Sequence, residues 1–117
     1  MSLFDTHCHL DDERFVDDFE GVLARARAAG VTRITTIGCC NSVETVPRAL
    51  NVARAHADWV VATSGVHPHD AQHWSPELAQ AIVDVAADPL IVAIGEAGLD
   101  YHYDNSPREA QKQAFRD

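Results

Sequence analysis

Short apolar segments alternate with longer amphipathic segments along the whole chain. Most of the short segments are rich in β-branched or apolar residues, which is typical of buried parallel strands, and the longer ones place apolar residues at helical spacing. The pattern predicts strands over residues 3–8, 31–37, 59–66 and 90–95. It predicts helices over residues 15–29, 42–56, 75–87 and 106–117, caps included. This alternation indicates an α/β fold of four consecutive βα units with right-handed crossovers.

Capping signals mark several of the predicted helix ends. Gly30 stands where a C′ glycine closes the first helix, and Ser75 followed by proline is a favourable helix start. Residues 106–109 have the pattern of a capping box with proline at the first helical position. Ser42 is a candidate cap for the second helix, although Pro47 near the end of the first turn leaves that start open. The fourth predicted strand is apolar at every position before its glycine, so we expect both of its faces to be covered.

Two architectures accommodate four βα units. One is a small open α/β sheet, although most such domains have five strands. The other is the first half of a (β/α)8 barrel, for which about 250 residues is a typical full length. The chain stops within a helical pattern, with no turn signal after Phe115, and an open parallel edge invites unwanted pairing. We therefore expect a truncated chain.

The composition suits one globular domain. Of the 117 residues, 46% are hydrophobic and 23% are charged. No apolar run approaches the roughly 20 residues needed to cross a bilayer, and no N-terminal secretory signal is recognisable. Cys8, Cys39 and Cys40 fit neither a disulfide framework nor a zinc ribbon. We expect a cytoplasmic protein without membrane contact, in which all three cysteines are reduced structural thiols.

The charge balance is strongly acidic. Nine basic residues against eighteen acidic ones give a net charge of −9. This argues against broad electrostatic binding of nucleic acid, but it is compatible with an enzyme that reaches phosphates through bound cations. Residues 55–107 contain no lysine or arginine and eight acidic residues. That excess predicts either a cation site or a solvated acidic surface.

A histidine pair ends the first predicted strand. His7 and His9 are two residues apart, and Asp5 precedes them by the same interval. Side chains two apart on a strand point to the same face, so these three converge while Cys8 points away. Two imidazoles at this spacing make a good bidentate clamp for a metal. We therefore predict that His7 and His9 are metal ligands.

Further candidates follow the third and fourth strands, at the carboxyl edge where ligands collect in parallel α/β folds. Glu96 ends an apolar strand, and because a buried carboxylate without a partner is costly, we predict a metal ligand. The alternative for Glu96 is a salt bridge to an arginine of another unit. His67 and His69 flank a proline at the mouth of the third strand and are predicted to bond a phosphate or a water, unless His69 is simply exposed. The remaining histidines are weaker candidates or receive no role: His56, His73 and His102.

Three of these segments together resemble the TatD family of metal-dependent deoxyribonucleases. They are DTHCHLD at 5–11, GVHPH at 65–69 and IGEAGLDY at 94–101, followed by Gln111 and Phe115. Their order and spacing match that family over the whole chain. The resemblance implies an amidohydrolase-like (β/α)8 TIM barrel, of which residues 1–117 form the N-terminal part of a single hydrolase domain. It also implies two divalent metal ions and hydrolysis of DNA phosphodiester bonds, often from the 3′ end.

The resemblance also implies roles for individual residues. His7 and His9 would hold one metal, and Glu96 would bridge both metals and orient the attacking water. His67, His69 and Asp100 would bind substrate. The family's remaining ligands are two later histidines and a late aspartate that serves as general base, and this chain ends before them. The ions would be Mg²⁺, Mn²⁺ or Zn²⁺, since imidazole and carboxylate ligands admit all three.

Two other functions stay open on the sequence. The same fold could hydrolyse another ester, such as the ester bond of an aminoacyl-tRNA, and the eight aromatic residues give little sign of a platform for single strands. The chain could also be a truncated, non-catalytic α/β module that scaffolds a partner. For the intact enzyme we expect a DNA substrate and no obligate protein partner.

Overall fold

The computed structural model describes residues 1–117. Its strands are β1 (Leu3–Cys8), β2 (Val31–Thr36), β3 (Val60–Ser64) and β4 (Ile91–Ile94). Its α-helices are α1 (Phe19–Ala28), α2 (Pro47–Ala55), α3 (Pro76–Ala86) and α4 (Arg108–Arg116). Two 3₁₀ helices cover Glu13–Asp18 and Pro68–His73. None of the helices has both the length and the apolar character that crossing a membrane requires.

The four strands form one parallel sheet in the order β1-β2-β3-β4. In the centre of the sheet Ile34 pairs with Val60 and Thr36 pairs with Ala62. A further parallel bridge joins Cys39 to Gly65, beyond the ends of β2 and β3. Sequential parallel pairing of this kind confirms the predicted βα units, and it gathers the carboxyl ends of all four strands at one edge.

Two apolar clusters hold the sheet and helices together. The larger cluster joins the sheet to α1 and α2, and the smaller one packs α3 against the segments that follow β2 and β3. Leu50 and Leu78 are among the largest side chains with almost no exposed surface. The larger cluster consists of Leu10, Leu23, Ile34, Ala49, Ala53, Trp59, Val60 and Ala62, and the smaller one of Cys40, Val46, Val66, Leu78 and Ile82.

Two predicted helices begin later than the sequence pattern indicated. The first α-helix starts at Phe19, because residues 13–18 form a 3₁₀ helix capped by Asp12, whose carboxylate accepts the N–H of Arg14. The second starts at Pro47. A proline fits the first turn of a helix, but in the helix interior it lacks the backbone N–H and its ring clashes with the preceding turn. Ser42 therefore caps nothing, and its carbonyl instead accepts the Thr45 hydroxyl within a turn.

The other end signals give a mixed outcome. Ser75 caps α3 as predicted, by accepting the N–H of Leu78, and Gly30 follows α1 with a φ of +94°. The capping box at residues 106–109 is wrong. Pro107 occupies the N-cap without a side-chain bond, while the Ser106 hydroxyl donates to the carbonyl of His69 and accepts the N–H of Gln72. The Ser106 hydroxyl therefore forms its hydrogen bonds with the loop at residues 69–72 and does not cap α4.

The expected burial of both faces of β4 is also wrong for this chain. Val92 is 53% exposed and Ile94 is 62% exposed. The reason is the position of β4, which is the outermost strand and pairs only with β3. Leu3 and Phe4 are likewise exposed on β1, the outermost strand on the other side. The apolar sequence of β4 is therefore typical of a buried strand, but residues 1–117 do not cover its side chains.

Candidate metal centre

Two outer strands supply one cluster of metal-ligating side chains. His7 lies near the end of β1, His9 follows that strand, and Glu96 comes two residues after β4. One ligand atom from each residue lies within 4.8 Å of the others. The Nε2 atoms of His7 and His9 lie 3.7 and 4.0 Å from Oε2 of Glu96. The structure therefore brings the three predicted ligands together at the carboxyl edge of the sheet.

The donor set and its spacing fit a divalent cation. Ions such as zinc bind imidazole nitrogens and carboxylate oxygens at about 2.0–2.2 Å, so two ligands of one ion lie about 3–4 Å apart. The rings of His7 and His9 meet edge to face, with centroids 5.3 Å apart, and do not stack face to face. The cluster is half-open to solvent, since the side chain of Glu96 is 31% exposed. Two imidazoles and a carboxylate arranged in this way could hold an ion.

The second carboxylate oxygen of Glu96 faces His67. Nε2 of His67 lies 3.8 Å from Oε1, while Nδ1 of the same ring accepts the backbone N–H of His69 at 3.1 Å. A neutral imidazole carries one proton, so accepting at Nδ1 leaves the proton on Nε2. His67 thus presents an N–H to the centre, which suits a hydrogen-bond donor better than a ligand. Its predicted contact with substrate stays a prediction.

His69 and Asp100 pair with each other. Nε2 of His69 bonds Oδ2 of Asp100, and Oδ1 accepts the backbone N–H groups of His102 and Tyr103. The pKa of Asp100 lies below its ordinary value, chiefly because of the His102 N–H, with further contributions from Tyr103 and His69. The carboxylate therefore stays ionised and ties the loop after β4 to the loop after β3. The role of this pair in substrate binding stays a prediction.

A buried polar network behind this pair was not foreseen from the sequence. Gln111 of α4 is fully buried, and its Oε1 accepts the N–H of Asp100 at 2.7 Å. Its Nε2 donates to the carbonyls of Asp100 and Ser106 at 3.0 and 2.8 Å. One amide side chain therefore fixes two points of the loop after β4, Asp100 and Ser106. The sequence signal was the position of Gln111, which lies on the same helix face as Ala114 and Phe115.

Cys39 is a second residue that sequence reasoning missed. Its Sγ lies 3.6 Å from Oε2 of Glu96 and 3.9 Å from Nδ1 of His9. Burial, followed by the charge of Glu96, raises the pKa of this thiol to about 12, so it keeps its proton at neutral pH. The available signal was position, because Cys39 follows β2 at the same edge where the other strands present histidines.

The remaining candidates lie outside the cluster. Asp5 does not join His7 and His9, because its Oδ1 accepts the backbone N–H of His7. Cys8 points to the other side of β1, as predicted, where its thiol contacts the carbonyl of Thr35. The weaker histidines have other neighbours: His56 lies near Glu20, His73 lies near Asp70 and the His102 ring meets that of Tyr103.

Sequence comparison identifies the family. The family described as "TatD related DNase" matches residues 4–117, and the chain belongs to it. YabD of Bacillus subtilis (strain 168), named an uncharacterized metal-dependent hydrolase, is 42% identical over 114 residues, or 97% of this chain and 44% of YabD. A protein of Erwinia amylovora named 3′-5′ ssDNA/RNA exonuclease TatD is 42% identical over 113 residues, or 97% of this chain and 43% of that protein.

Structural comparison agrees with the sequence match. The crystal structure of YJJV, a TatD homologue from Escherichia coli K12, superposes with a TM-score of 0.79 at 33% sequence identity. The match covers 97% of this chain and 44% of YJJV. The chain thus spans less than half the length of the relatives it matches. With four sequential parallel βα units, it forms part of a (β/α)8 barrel, as the sequence predicted.

Proposed function

We propose that these residues belong to a divalent-metal-dependent hydrolase that cleaves phosphodiester bonds of nucleic acid. The observation that carries the proposal is the convergence of His7, His9 and Glu96 within 4.8 Å at the carboxyl edge of a parallel sheet. This is the edge at which (β/α)8 barrels place their catalytic groups. We also propose that residues 1–117 are the N-terminal part of a single barrel domain.

The centre would take two divalent ions, with Glu96 common to both. His7 and His9 would hold the first ion, and the mixed nitrogen and oxygen donors admit Zn²⁺ or Mn²⁺ as well as Mg²⁺. Such ions, when bound, lower the pKa of a coordinated water and offset negative charge on phosphoryl oxygens. In a chain of net charge −9, they would also supply the attraction for phosphate that its few basic residues do not.

The protein groups around the centre would position the reactants. Glu96 would orient the attacking water through a carboxylate oxygen. His67 points an N–H toward Oε1 of Glu96, from 3.8 Å, and could donate to a phosphoryl oxygen beside it. His69 and Asp100 would line the substrate side of the loops after β3 and β4. We place the general base outside these 117 residues, in the part of the relatives that the chain does not match.

Single-stranded DNA is the substrate we favour. Support comes from the family membership and from relatives named 3′-5′ ssDNA/RNA exonuclease. The three free thiols suit a reducing compartment, and we propose a cytoplasmic location. Hydrolysis of another ester on the same fold is the competing function, and a substrate panel separates the two.

The test is a hydrolysis assay on the full-length barrel to which we assign these residues. Substrates would be 3′-labelled single-stranded DNA, the matching RNA and duplex, and an aminoacyl ester, each with Mn²⁺, Mg²⁺ or Zn²⁺. We expect metal-dependent release of nucleotides from single strands and its loss in Glu96→Ala, with Glu109→Ala on the exposed face of α4 as control. Cleavage of the aminoacyl ester alone would contradict the substrate, and full nuclease activity in Glu96→Ala would contradict the site.

A further inference from the structure

The thiol of Cys39 contacts two of the three candidate ligands. Its Sγ lies 3.6 Å from Oε2 of Glu96 and 3.9 Å from Nδ1 of His9, both within reach of a hydrogen bond to sulfur. Cys39 belongs to neither of the strands that carry those ligands. It follows β2 and forms a parallel bridge with Gly65 beyond β3, so the centre of the sheet fixes its place.

The chemistry of the three groups sets the direction of each bond. An ionised carboxylate only accepts, so the S–H of Cys39 must be the donor to Oε2 of Glu96. The sulfur then has only its lone pairs left for Nδ1 of His9. A hydrogen bond at that contact therefore requires the proton of the neutral His9 ring to be on Nδ1.

That tautomer is the one a metal ligand needs at this position. With its proton on Nδ1, His9 keeps a free lone pair on Nε2. Nε2 is the nitrogen that lies 4.0 Å from Oε2 of Glu96, on the side of the candidate centre. Metal-binding histidines generally have their second nitrogen fixed by a neighbouring acceptor, which orients the ring and holds the tautomer.

We propose that Cys39 is a positioning residue of the metal centre. Its sulfur accepts Nδ1–H of His9 and its S–H donates to Glu96, so one thiol holds the His9 lone pair and the carboxylate toward the same ion. The proposal rests on the proposed function in one respect, the assignment of His9 and Glu96 as ligands. It assigns a task to a side chain whose residue type alone indicates only a reduced, structural thiol.

The direct test is the tautomer of His9 in the metal-free chain. Nitrogen NMR of labelled imidazoles at pH about 8.5, where an ordinary imidazole is neutral, distinguishes a protonated Nδ1 from a protonated Nε2. We expect the Nδ1–H form for His9 in the wild type and a shift toward Nε2–H in Cys39→Ala. Cys39→Ser, with a hydroxyl that both donates and accepts, should recover part of the effect. His67, whose Nδ1 accepts a backbone N–H, should show the opposite tautomer in every variant.

Metal affinity supplies a second readout. Loss of a group that orients a ligand commonly weakens metal binding about 10–100-fold, and we expect Mn²⁺ affinity to fall by that factor in Cys39→Ala. Cys8→Ala is the matched control, because Cys8 packs against the larger apolar cluster on the other side of β1. It should leave both the tautomer and the affinity unchanged.

Several results would overturn the proposal. These are an Nε2–H tautomer of His9 in the wild type, an Nδ1–H tautomer that persists in Cys39→Ala, or equal losses of affinity in Cys8→Ala and Cys39→Ala. The wild-type spectrum alone shows whether His9 carries its proton on Nδ1, so the proposal can be overturned even if a variant fails to fold. Failure of the proposed function looks different, since the chain would then bind no Mn²⁺ whatever the tautomer of His9.

Discussion

Alanine in place of Gln111 is expected to lower the free energy of unfolding by about 3 kcal/mol, because it leaves a cavity and removes partners from buried polar groups. The amide bonds the N–H and carbonyl of Asp100 and the carbonyl of Ser106, and no part of it is exposed. The loop after β4 should also become mobile, since Asp100 and Ser106 both lose their bonds to α4. Urea denaturation with hydrogen exchange at Asp100 measures both effects.

Gln113→Ala provides the matched control, because it makes the same change two residues along the same helix. Gln113 is exposed and bonds only the carboxylate of Asp117. Its loss should change stability by no more than about 0.5 kcal/mol. Equal destabilisation by the two variants would mean that the buried network has no special importance for the loop.

Alanine in place of Gly65 is expected to cost about 2–3 kcal/mol and to weaken metal binding as well. A Cβ at this position would lie 2.7–2.8 Å from three backbone atoms of Gly95, which is too close for either strand end to remain where it is. Gly95 precedes Glu96, so any movement that relieves the clash displaces that carboxylate. Thermal unfolding and Mn²⁺ titration of the same sample check both effects.

Gly21→Ala is the comparison for this prediction. The added Cβ would there meet the end of the flexible Asp18 side chain, which can move away, in the first turn of α1. Alanine has a higher helix propensity than glycine, so the free energy of unfolding of this variant should be unchanged or higher by up to about 1 kcal/mol. If the unfolding temperature and the Mn²⁺ affinity of Gly65→Ala equalled those of the wild type, the contact between the ends of β3 and β4 would not position Glu96.

The sequence pattern predicted the strands more accurately than the helix ends. Short runs of apolar and β-branched residues indicate strands without reference to the rest of the chain, and all four strands were found, although β1 and β4 are largely exposed. Helix ends depend on competition between local caps and distant partners. Ser106 has the residues of a capping box around it, yet its hydroxyl bonds His69 and Gln72 of another loop. No local spacing reveals that outcome.

The residues of the candidate site also fall into two groups, those that local sequence rules predict and those that depend on packing between distant segments. The period of two along a strand places His7 and His9 on one face, and the shared carboxyl edge of parallel strands brings Glu96 toward them. Cys39 could not be predicted in this way, because a buried cysteine is usually a structural residue. Its contacts with His9 and Glu96 join positions 30 and 57 residues apart in the chain. The contacts of Gln111 with Asp100 and Ser106 likewise depend on how α4 packs.

Mn²⁺ binding by calorimetry, on the wild-type chain and on His7→Ala, Glu96→Ala and Glu109→Ala, tests the central claim most directly. His7, His9 and Glu96 offer ligand atoms within 4.8 Å, whereas Glu109 only pairs with Lys112 on the surface. We expect saturable binding by the wild type, a loss of affinity of about 100-fold or more in His7→Ala and Glu96→Ala, and no change in Glu109→Ala. Wild-type affinity in both His7→Ala and Glu96→Ala would contradict the account, because the ion would then be held elsewhere.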